Sequence, residues 1–373
     1  MTDAVVYFGT YDPGYPRNAV LLEGLRELGV DVQEFRAPLP QLDAAEMTTA
    51  AGAARLAAGL AAAHARLFTQ HPRDLSVDAV IVGYPGHFLV PFGRLMSGIR
   101  RARLVFDPLV SLWDTFAGDR ALMASSGWKA TAVRAVDGVA FRLPSLVLAD
   151  TWAHATYYQE TFGLRRDRLA VVPIGALPEA RANGGARDLA TGEPLTVFQY
   201  GKWSPLHGAD AVLDAADRLP REQVRFVLAG EGQLSSELTS IIAERRLDNV
   251  SWLGSLTAAE LRDQTLAADV CLGVFGRSEK AGRVVPNKVH DALACGRPVI
   301  TEDSAGSREL LHDGENALLV PAGDGAALAA AVARLRDGDE RRRLGEAALS
   351  LYRRRLTPAA VATDLLAALE ASV

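Results

Sequence analysis

The sequence predicts an α/β protein of two Rossmann-like, doubly wound domains that face each other across a cleft. Short β-rich runs alternate with helical periodicity along nearly the whole chain, a pattern typical of βαβ units and parallel sheets. A length of 373 residues exceeds what one hydrophobic core usually serves, so two domains are expected. Residues 177–193, rich in Pro, Gly, Asn and charge, interrupt the alternation and are interpreted as the linker.

The first domain is predicted to cover residues 1–176 and the second residues 194–355, each with six β-rich runs. The runs are 4–9, 31–36, 78–84, 102–107, 145–150 and 169–175 in the first, and 195–201, 224–230, 249–254, 269–276, 297–301 and 316–323 in the second. Helical periodicity fills the intervals, most extensively over the Ala-rich stretch 43–69. The last residues, 356–373, are predicted to form a helix that packs back on the first domain.

Composition and charge indicate a globular protein without a nucleic-acid partner. The net charge is −5, whereas nucleic-acid-binding domains are usually strongly basic. Cys271 and Cys295 lie in apolar runs outside any C-x-x-C, so we expect small buried hydrophobes rather than metal ligands. The chain begins without a basic leader and has no uncharged run of about 18 residues, which predicts a cytoplasmic location.

Region 116–143 leaves two interpretations open. It mixes Lys129, Arg134 and Arg142 with apolar residues, which fits an amphipathic helix packed on the core and also contact with an anionic membrane surface. The core interpretation is the simpler one, so membrane contact is kept as a secondary hypothesis.

Two loops after strands of the second domain are suited to an anion. Ligands of open α/β sheets bind at the carboxyl ends of the strands. The run 195–201 ends in "YGKWSPLHG", where Gly201 permits close backbone approach and Lys202 and His207 add polar donors. The next run ends in "AGEGQL", with its turn at Gly230, Glu231 and Gly232. An ordinary loop with one exposed Lys explains the first as well, and a tight turn explains the second.

A third loop, "FGRSEKAGRVVPNK", combines cations with the start of a helix. Backbone N–H groups at a helix N-terminus favour phosphate, and cations beside them strengthen that preference. The candidate contacts are Glu279, Arg283, Val284, Val285, Asn287 and Lys288. Asp291 lies one turn inside this helix, where it could accept hydrogen bonds from ribose hydroxyls or only complement the helix dipole.

Polar residues also follow the strands of the first domain. The candidates on an acceptor side are Tyr11, Asp12, Arg17, His87, Ser111, Asp114 and Asp150, with Asp107 as a catalytic candidate and Gly9 as a backbone contact to a donor. Structural explanations remain open for each, since Asp114 and Asp150 could be N-caps and His87 a satisfied cap or a surface histidine. We expect two or three of them to be functional.

The motifs in their order resemble the donor domain of a GT-B glycosyltransferase of the family-four type. They are "YGKWSPLHG", "AGEGQL", "SWLGSL", "VFGRSEKAGRVVPNKVHDALACGRPVIT" and "SRELLHDGENALLVPAGD", within about residues 195–325. The resemblance implies a retaining enzyme that needs no metal or other cofactor and takes its sugar from a nucleotide-diphosphate donor. The acceptor would be a hydroxyl on a small molecule, a lipid carrier or a glycan.

The resemblance also implies roles for single residues. Lys202 and His207 occupy the positions of a basic pair that grips the diphosphate, and Lys288 would be a further phosphate contact. Asp291 stands where the second of two spaced Glu residues binds ribose.

Two positions depart from the family pattern. Arg283 stands where a Glu usually contacts the donor sugar, and Glu279 is a candidate replacement. Asp107 stands where a sugar-contacting His is usual. Lys202, Lys288 and Asp107 are therefore the predicted catalytic residues. The departures leave open a catalytically inactive nucleotide-sugar binding protein, and a GT-B-fold epimerase or phosphorylase is a further alternative.

Overall fold

The chain divides into two compact units. A computed structural model describes residues 2–40, 49–69, 76–119, 127–179, 182, 189–190 and 192–371. Unit 1 comprises Met1–Pro173 and Pro358–Val373, and unit 2 comprises Ile174–Thr357. The boundaries differ slightly from the predicted 176 and 355, because the buried Ala176 bonds through its N–H to the Leu356 carbonyl within unit 2. Part of the predicted linker, 177–193, lies outside the described residues.

Unit 1 is a parallel six-stranded sheet covered by helices. Its strands are β1 Ala4–Gly9, β2 Asp31–Arg36, β3 Ala79–Val82, β4 Arg103–Phe106, β5 Leu146–Ala149 and β6 Leu169–Val171. Their order is β2-β1-β3-β4-β5-β6. The helices are α1 Pro16–Glu27, α2 Ala50–Thr69, α3 Val90–Arg100, α4 Trp128–Arg142, α5 Trp152–Phe162 and, at the end of the chain, α13 Pro358–Ala371.

Both faces of this sheet are buried, which explains the uninterrupted apolar strands such as "AVIV" and "LVLA". One core contains residues of α2 to α5, and the other contains residues of α1 and α13. The helix α13 lies so close to α1 that a Cβ at Gly24 would come within 1.9 Å of the Pro358 carbonyl oxygen. Glycine at this position therefore allows the last helix to pack on the first.

Two predicted helices differ in extent from the observed ones. The Ala-rich helix was expected over 43–69; α2 covers Ala50–Thr69, and residues 43–48 lie outside the described part of the chain. Region 116–143 is not one helix. A π-helical turn covers Asp114–Asp119, residues 120–126 lie outside the described part of the chain, and α4 begins at Trp128. Gly127, with φ of 104°, starts α4 in a conformation that favours glycine.

Unit 2 repeats the architecture. Its strands are β7 Leu195–Tyr200, β8 Val224–Ala229, β9 Val250–Trp252, β10 Val270–Leu272, β11 Val299–Glu302 and β12 Leu318–Val320, in the parallel order β12-β11-β10-β7-β8-β9. Its helices are α6 Ala209–Arg218, α7 Ser235–Glu244, α8 Ala258–Ala267, α9 Asn287–Ala294, α10 Ala305–Arg308, α11 Gly325–Arg334 and α12 Gly338–Arg355. The strand order reverses between β7 and β10, and ligands of such sheets bind outside the carboxyl ends at that point.

None of the helices in the described part of the chain is long and apolar enough to cross a membrane.

Candidate functional site

Three residues of unit 2 lie close together where the strand order of its sheet reverses, between β7 and β10. Gly201 follows β7 directly, His207 ends a short turn behind it, and Lys288 lies in the first turn of α9. A Cβ at position 201 would lie 2.2 Å from His207 Nε2 and 3.1 Å from Lys288 Nζ. The absence of a side chain at Gly201 therefore leaves room for these two groups at one point of the sheet edge.

Lys288 is a buried amine that makes no hydrogen bond within the described chain. Its side chain is 6% exposed, and Nζ lies 5.9 Å from the centre of the Tyr200 ring. Burial lowers the pKa of Lys288 to about 7, because an ammonium ion loses hydration inside the protein. Buried lysines are normally paired, so this one is suited to an anion that arrives with a ligand.

His207 presents a hydrogen-bond donor at the same point. The backbone N–H of Ser204 donates to Nδ1 of the ring at 3.3 Å. Because Nδ1 is then the acceptor, the proton of the neutral ring is on Nε2, the atom beside Gly201. An oxyanion placed there would lie beside His207 Nε2 and the amine of Lys288.

The loop after β8 packs against the loop after β7 through the backbone. A Cβ at Gly230, which has φ of 109°, would lie 2.1 Å from the Gly201 carbonyl oxygen, and one at Gly232 would lie 2.4 Å from the Trp203 nitrogen. Glycine is therefore required at both positions for the two loops to approach this closely. The intervening Glu231 is exposed, and so is Lys202 in the other loop.

The N-terminus of α9 adds backbone donors. No side chain caps this helix, whose first residues are Asn287 and Lys288. Uncapped N–H groups at such an end attract anions. In the preceding loop Val285 is buried, Val284 is half-buried, and Arg283 lies 3.4 Å from Glu279, whose side chain is 93% exposed. Glu279 is thus a surface residue, and its predicted role at the donor sugar stays a prediction.

Asp291 is bound by a residue that the sequence analysis did not single out. The Tyr200 hydroxyl donates a hydrogen bond to Asp291 Oδ2. Burial raises the pKa of Asp291 to about 6, while this hydrogen bond and the charge of Arg262 act in the opposite direction. The position of Tyr200 as the last residue of β7 was the available signal. The ribose contact of Asp291 stays a prediction.

In unit 1, the structure brings Arg17 and Asp107 together. Arg17 Nε lies 2.7 Å from Asp107 Oδ2, and both side chains are 1% exposed. Arg17 Nη1 also donates to the carbonyls of Val172 and Pro173 at 2.7 Å each. This carboxylate belongs to a buried ion pair, and its predicted contact with a sugar stays a prediction.

Asp150 belongs to a second buried polar cluster, whose members on α5 the sequence analysis did not single out. Its Oδ1 lies 2.6 Å from Nδ1 of His154, and Thr151 rather than Asp150 caps α5. Neither His154 Nε2 nor the Tyr158 hydroxyl makes a hydrogen bond within the described chain. Burial, aided by the carboxylates of Asp150, Asp107 and Asp114, raises the pKa of Tyr158 well above its ordinary value. Side chains on α5 thus complete a polar cluster whose carboxylates follow β4 and β5.

The other predicted residues of unit 1 make separate internal contacts. His87 is buried, its Nε2 donates to the Val110 carbonyl at 2.9 Å, and burial lowers its pKa to about 4, so it is a neutral interior histidine rather than a surface one. Ser111 donates to Asp137 at 2.7 Å and accepts from the N–H of Asp114.

The remaining positions follow β1. The Tyr11 hydroxyl donates to Glu34 at 2.7 Å, the exposed Asp12 accepts from the Gly14 N–H, and Gly9 ends β1 with φ of 135°. Gly9 therefore lies in a different unit from the other predicted donor contacts. In the part of the chain that the structure describes, no three His, Cys, Asp or Glu side chains are grouped to hold a metal ion.

Comparison with known proteins identifies the fold and one domain. The family model "Glycosyl transferases group 1" matches residues 194–337. The chain is 33% identical over 216 residues to the D-inositol 3-phosphate glycosyltransferase of Nocardia farcinica, covering 53% of this chain and 47% of that protein. It is 26% identical over 199 residues to the amylovoran biosynthesis glycosyltransferase AmsK of Erwinia amylovora, covering 52% and 47%. The chain thus matches about half the length of these curated relatives.

Solved structures resemble the whole chain. Sucrose-phosphate synthase from Thermosynechococcus elongatus superimposes with a TM-score of 0.69 at 17% identity, over 98% of both chains. Anabaena HepE, solved in complex with UDP and glucose, superimposes with a TM-score of 0.67 at 16% identity, over 99% of this chain and 100% of that one. At such identities the likeness establishes the fold. The chain therefore has the GT-B fold of two parallel α/β units, and its residues 194–337 match the family model of glycosyl transferases group 1.

Proposed function

We propose that the chain is a retaining, metal-independent glycosyltransferase that moves a sugar from a nucleotide-diphosphate donor to a hydroxyl acceptor. The observation that carries the proposal is the buried Lys288 amine, which makes no hydrogen bond within the described chain and lies beside Gly201 and His207 in the glycosyl transferase domain. A diphosphate supplies the negative counter-charge that the protonated form of this amine needs.

The diphosphate is held by complementary donors. Lys288 Nζ, the Nε2–H of His207 and the first N–H groups of α9 provide hydrogen bonds, and hydrogen bonds to charged groups are each worth about 1.5–3 kcal/mol. Lys202, exposed in the loop after β7, adds a further cation. Asp291 binds the ribose hydroxyls, oriented by the Tyr200 hydroxyl.

The reaction breaks the bond between the anomeric carbon and the donor phosphate and forms one to the acceptor oxygen on the same face of the sugar. The acceptor proton passes to the departing phosphate oxygen, so no protein nucleophile is required. Lys288 and His207 stabilise the negative charge that develops on the leaving diphosphate, which is where electrostatic stabilisation is most effective. Positive charge from side chains and helix amides takes the place of a metal ion in this scheme.

The acceptor is proposed to bind to unit 1. Curated relatives include D-inositol 3-phosphate glycosyltransferases, one of them 33% identical, which makes inositol 3-phosphate the first acceptor to test. Asp107 serves mainly to hold Arg17 in place, because its carboxylate lies 2.7 Å from that guanidinium in the interior.

The alternative is a nucleotide-sugar binding protein without transfer activity. It is favoured by one observation: Arg283 stands in the position of a family carboxylate, and the nearby Glu279 is almost fully exposed. Such a protein would bind the donor with the same residues of unit 2 and would release no nucleoside diphosphate.

The first experiment is a thermal-shift screen of nucleoside diphosphates and nucleotide sugars, beginning with UDP and UDP-glucose. A ligand at a hundred times its Kd stabilises the protein by about 2.7 kcal/mol. The ligand that binds is then incubated with and without inositol 3-phosphate in the presence of EDTA, and the product is examined by NMR. Acceptor-dependent release of nucleoside diphosphate with a retained anomeric configuration is the expected result. Binding without release supports the alternative, and activity restored only by magnesium or manganese contradicts the metal-independent scheme.

A further inference from the structure

The outward sides of α3 and α4 in unit 1 carry exposed apolar side chains in helical register. On α3, Leu95 is 54% exposed and Ile99 is 60% exposed. On α4, Trp128 is 77% exposed and Val139 is 48% exposed. Residues four and eleven positions apart lie on one side of a helix, so each pair forms a stripe that faces away from the core.

The two stripes lie next to each other. Val90 of α3 and Phe141 of α4 belong to the same core on one side of the sheet, and the two helices are in contact. The crossovers from β3 to β4 and from β4 to β5 connect neighbouring parallel strands, and such connections are right-handed, which puts both helices on the same side. We call the exposed surface of residues 94–101 and 128–139 the α3–α4 face.

The charges on the α3–α4 face are positive. Arg94, Arg101 and Lys129 are exposed there, whereas Arg134 lies on another side of α4, with its guanidinium 3.8 Å from the centre of the Trp113 ring. Within 90–103 and 127–145, all of which the structure describes, the one acidic residue is Asp137, which is 0% exposed and accepts a hydrogen bond from Ser111. A chain of net charge −5 thus presents, on this face, apolar and basic side chains without an exposed carboxylate.

We propose that the α3–α4 face docks on an anionic lipid bilayer. The apolar side chains enter the headgroup region, where tryptophan is favoured, and the three cations Arg94, Arg101 and Lys129 bind acidic headgroups. A second copy of the chain fits less well, because a two-fold contact through this face would bring its cations against the same cations of the partner. The proposal does not depend on glycosyl transfer or on any donor or acceptor.

The test is sedimentation of the full chain with vesicles, without nucleotide or acceptor. The protein should bind vesicles of phosphatidylcholine with 30% phosphatidylglycerol, bind pure phosphatidylcholine weakly, and dissociate as salt is raised. Each cation near an anionic surface contributes roughly fivefold, so the triple variant Arg94→Gln, Arg101→Gln, Lys129→Gln should bind about a hundredfold more weakly. The double variant Ile99→Ser, Trp128→Ser should also lose binding, because it removes the apolar contacts.

Matched controls come from unit 2. Arg353, Arg354 and Arg355 are exposed at the end of α12, and their replacement by Gln changes the net charge by the same amount. Leu253, 40% exposed, provides the apolar control Leu253→Ser. Neither control should alter vesicle binding. The proposal is overturned if the wild type does not bind anionic vesicles, if the unit 2 variants lose binding equally, or if light scattering shows a dimer that the Ile99→Ser, Trp128→Ser variant dissociates.

Discussion

Lys288 should take up a proton when the donor binds. Its pKa of about 7 in the free protein means that at pH 8 about one molecule in ten carries the charge. A diphosphate beside Nζ favours the charged form, so binding at pH 8 should draw in nearly one proton. Because the bound form holds the proton and the free form does not, higher pH opposes binding. Between pH 8 and 9 the affinity should fall by up to tenfold, or about 1.4 kcal/mol.

Calorimetry can detect this proton directly. A nucleotide sugar such as UDP-glucose, whose diphosphate does not titrate between pH 6 and 9, is injected at pH 8 in two buffers that differ in ionisation enthalpy. The apparent binding enthalpy should differ between the two buffers by almost the full difference between their ionisation enthalpies. Lys288→Met should abolish this difference and weaken binding by ten- to a hundredfold. Lys202→Met is the matched control, which should keep the proton uptake because Lys202 is exposed. Equal enthalpies in both buffers, with an affinity that is flat from pH 7 to 9, would refute the reasoning.

The same residue should show opposite effects on binding and on stability. The folded-state pKa of Lys288 is about 7 instead of 10.5, so the unfolded chain binds more protons between these values and stability rises with pH across that window. Below pH 7 the fold has to bury the charge, at a cost on the order of a few kcal/mol. Lys288→Met should therefore raise the Tm at pH 6 while it weakens donor binding. A lower Tm together with weaker binding would indicate a structural role.

Three further predictions concern neighbouring residues. Gly201→Ala puts a methyl group 2.2 Å from His207 Nε2 and should weaken nucleotide binding at least tenfold, whereas Gly98→Ala, in open space, should not; equal affinities would contradict the site geometry. Tyr200→Phe removes a hydrogen bond that lowers the pKa of Asp291, so nucleotide binding should weaken at pH 6 and recover by pH 8, as measured by fluorescence titration; a pH-independent loss would argue against a ribose carboxylate. Asp107→Ala leaves Arg17 buried and unpaired, which should cost about 3–5 kcal/mol in urea unfolding; an unchanged midpoint would show that the ion pair is not structural.

Much of the fold could be predicted from the sequence because its signals are local. Buried parallel strands appear as apolar runs, and both sets of six were found with errors of a few residues. The largest errors are at the ends of the runs 169–175 and 269–276, since β6 ends at Val171 and β10 at Leu272. Beyond β10, Gly273 and Val274 still bond to β11, and the N–H of Phe275 then donates to the His207 carbonyl in the loop after β7. That contact depends on a segment far away in sequence, so no local pattern indicated it.

The candidate site was predictable where backbone geometry determines it. Gly201 and Gly230 stand out because their loops approach each other closely. A Cβ at Gly230 would lie only 2.1 Å from the Gly201 carbonyl oxygen, so only glycine fits there. The Tyr200–Asp291 bond joins residues 91 positions apart, and the cluster of His154 and Tyr158 depends on which side of α5 faces β5. Such pairings depend on tertiary packing, which the order of motifs does not specify.

Two cations that were predicted to be functional are buried, one in each unit, and only the structure shows how they differ. Lys288 was predicted to contact phosphate and Arg17 to lie on the acceptor side, and the sequence does not show which of the two cations the fold already pairs. The structure shows that Arg17 makes one bond to Asp107 and two to backbone carbonyls, so the fold itself neutralises and solvates its guanidinium. Lys288 makes no hydrogen bond within the described chain, so no hydrogen bond offsets the cost of burying its charge until an anion binds. Loss of a partner should therefore destabilise the fold around Arg17, whereas the unsatisfied Lys288 should lower stability until an anion binds beside it.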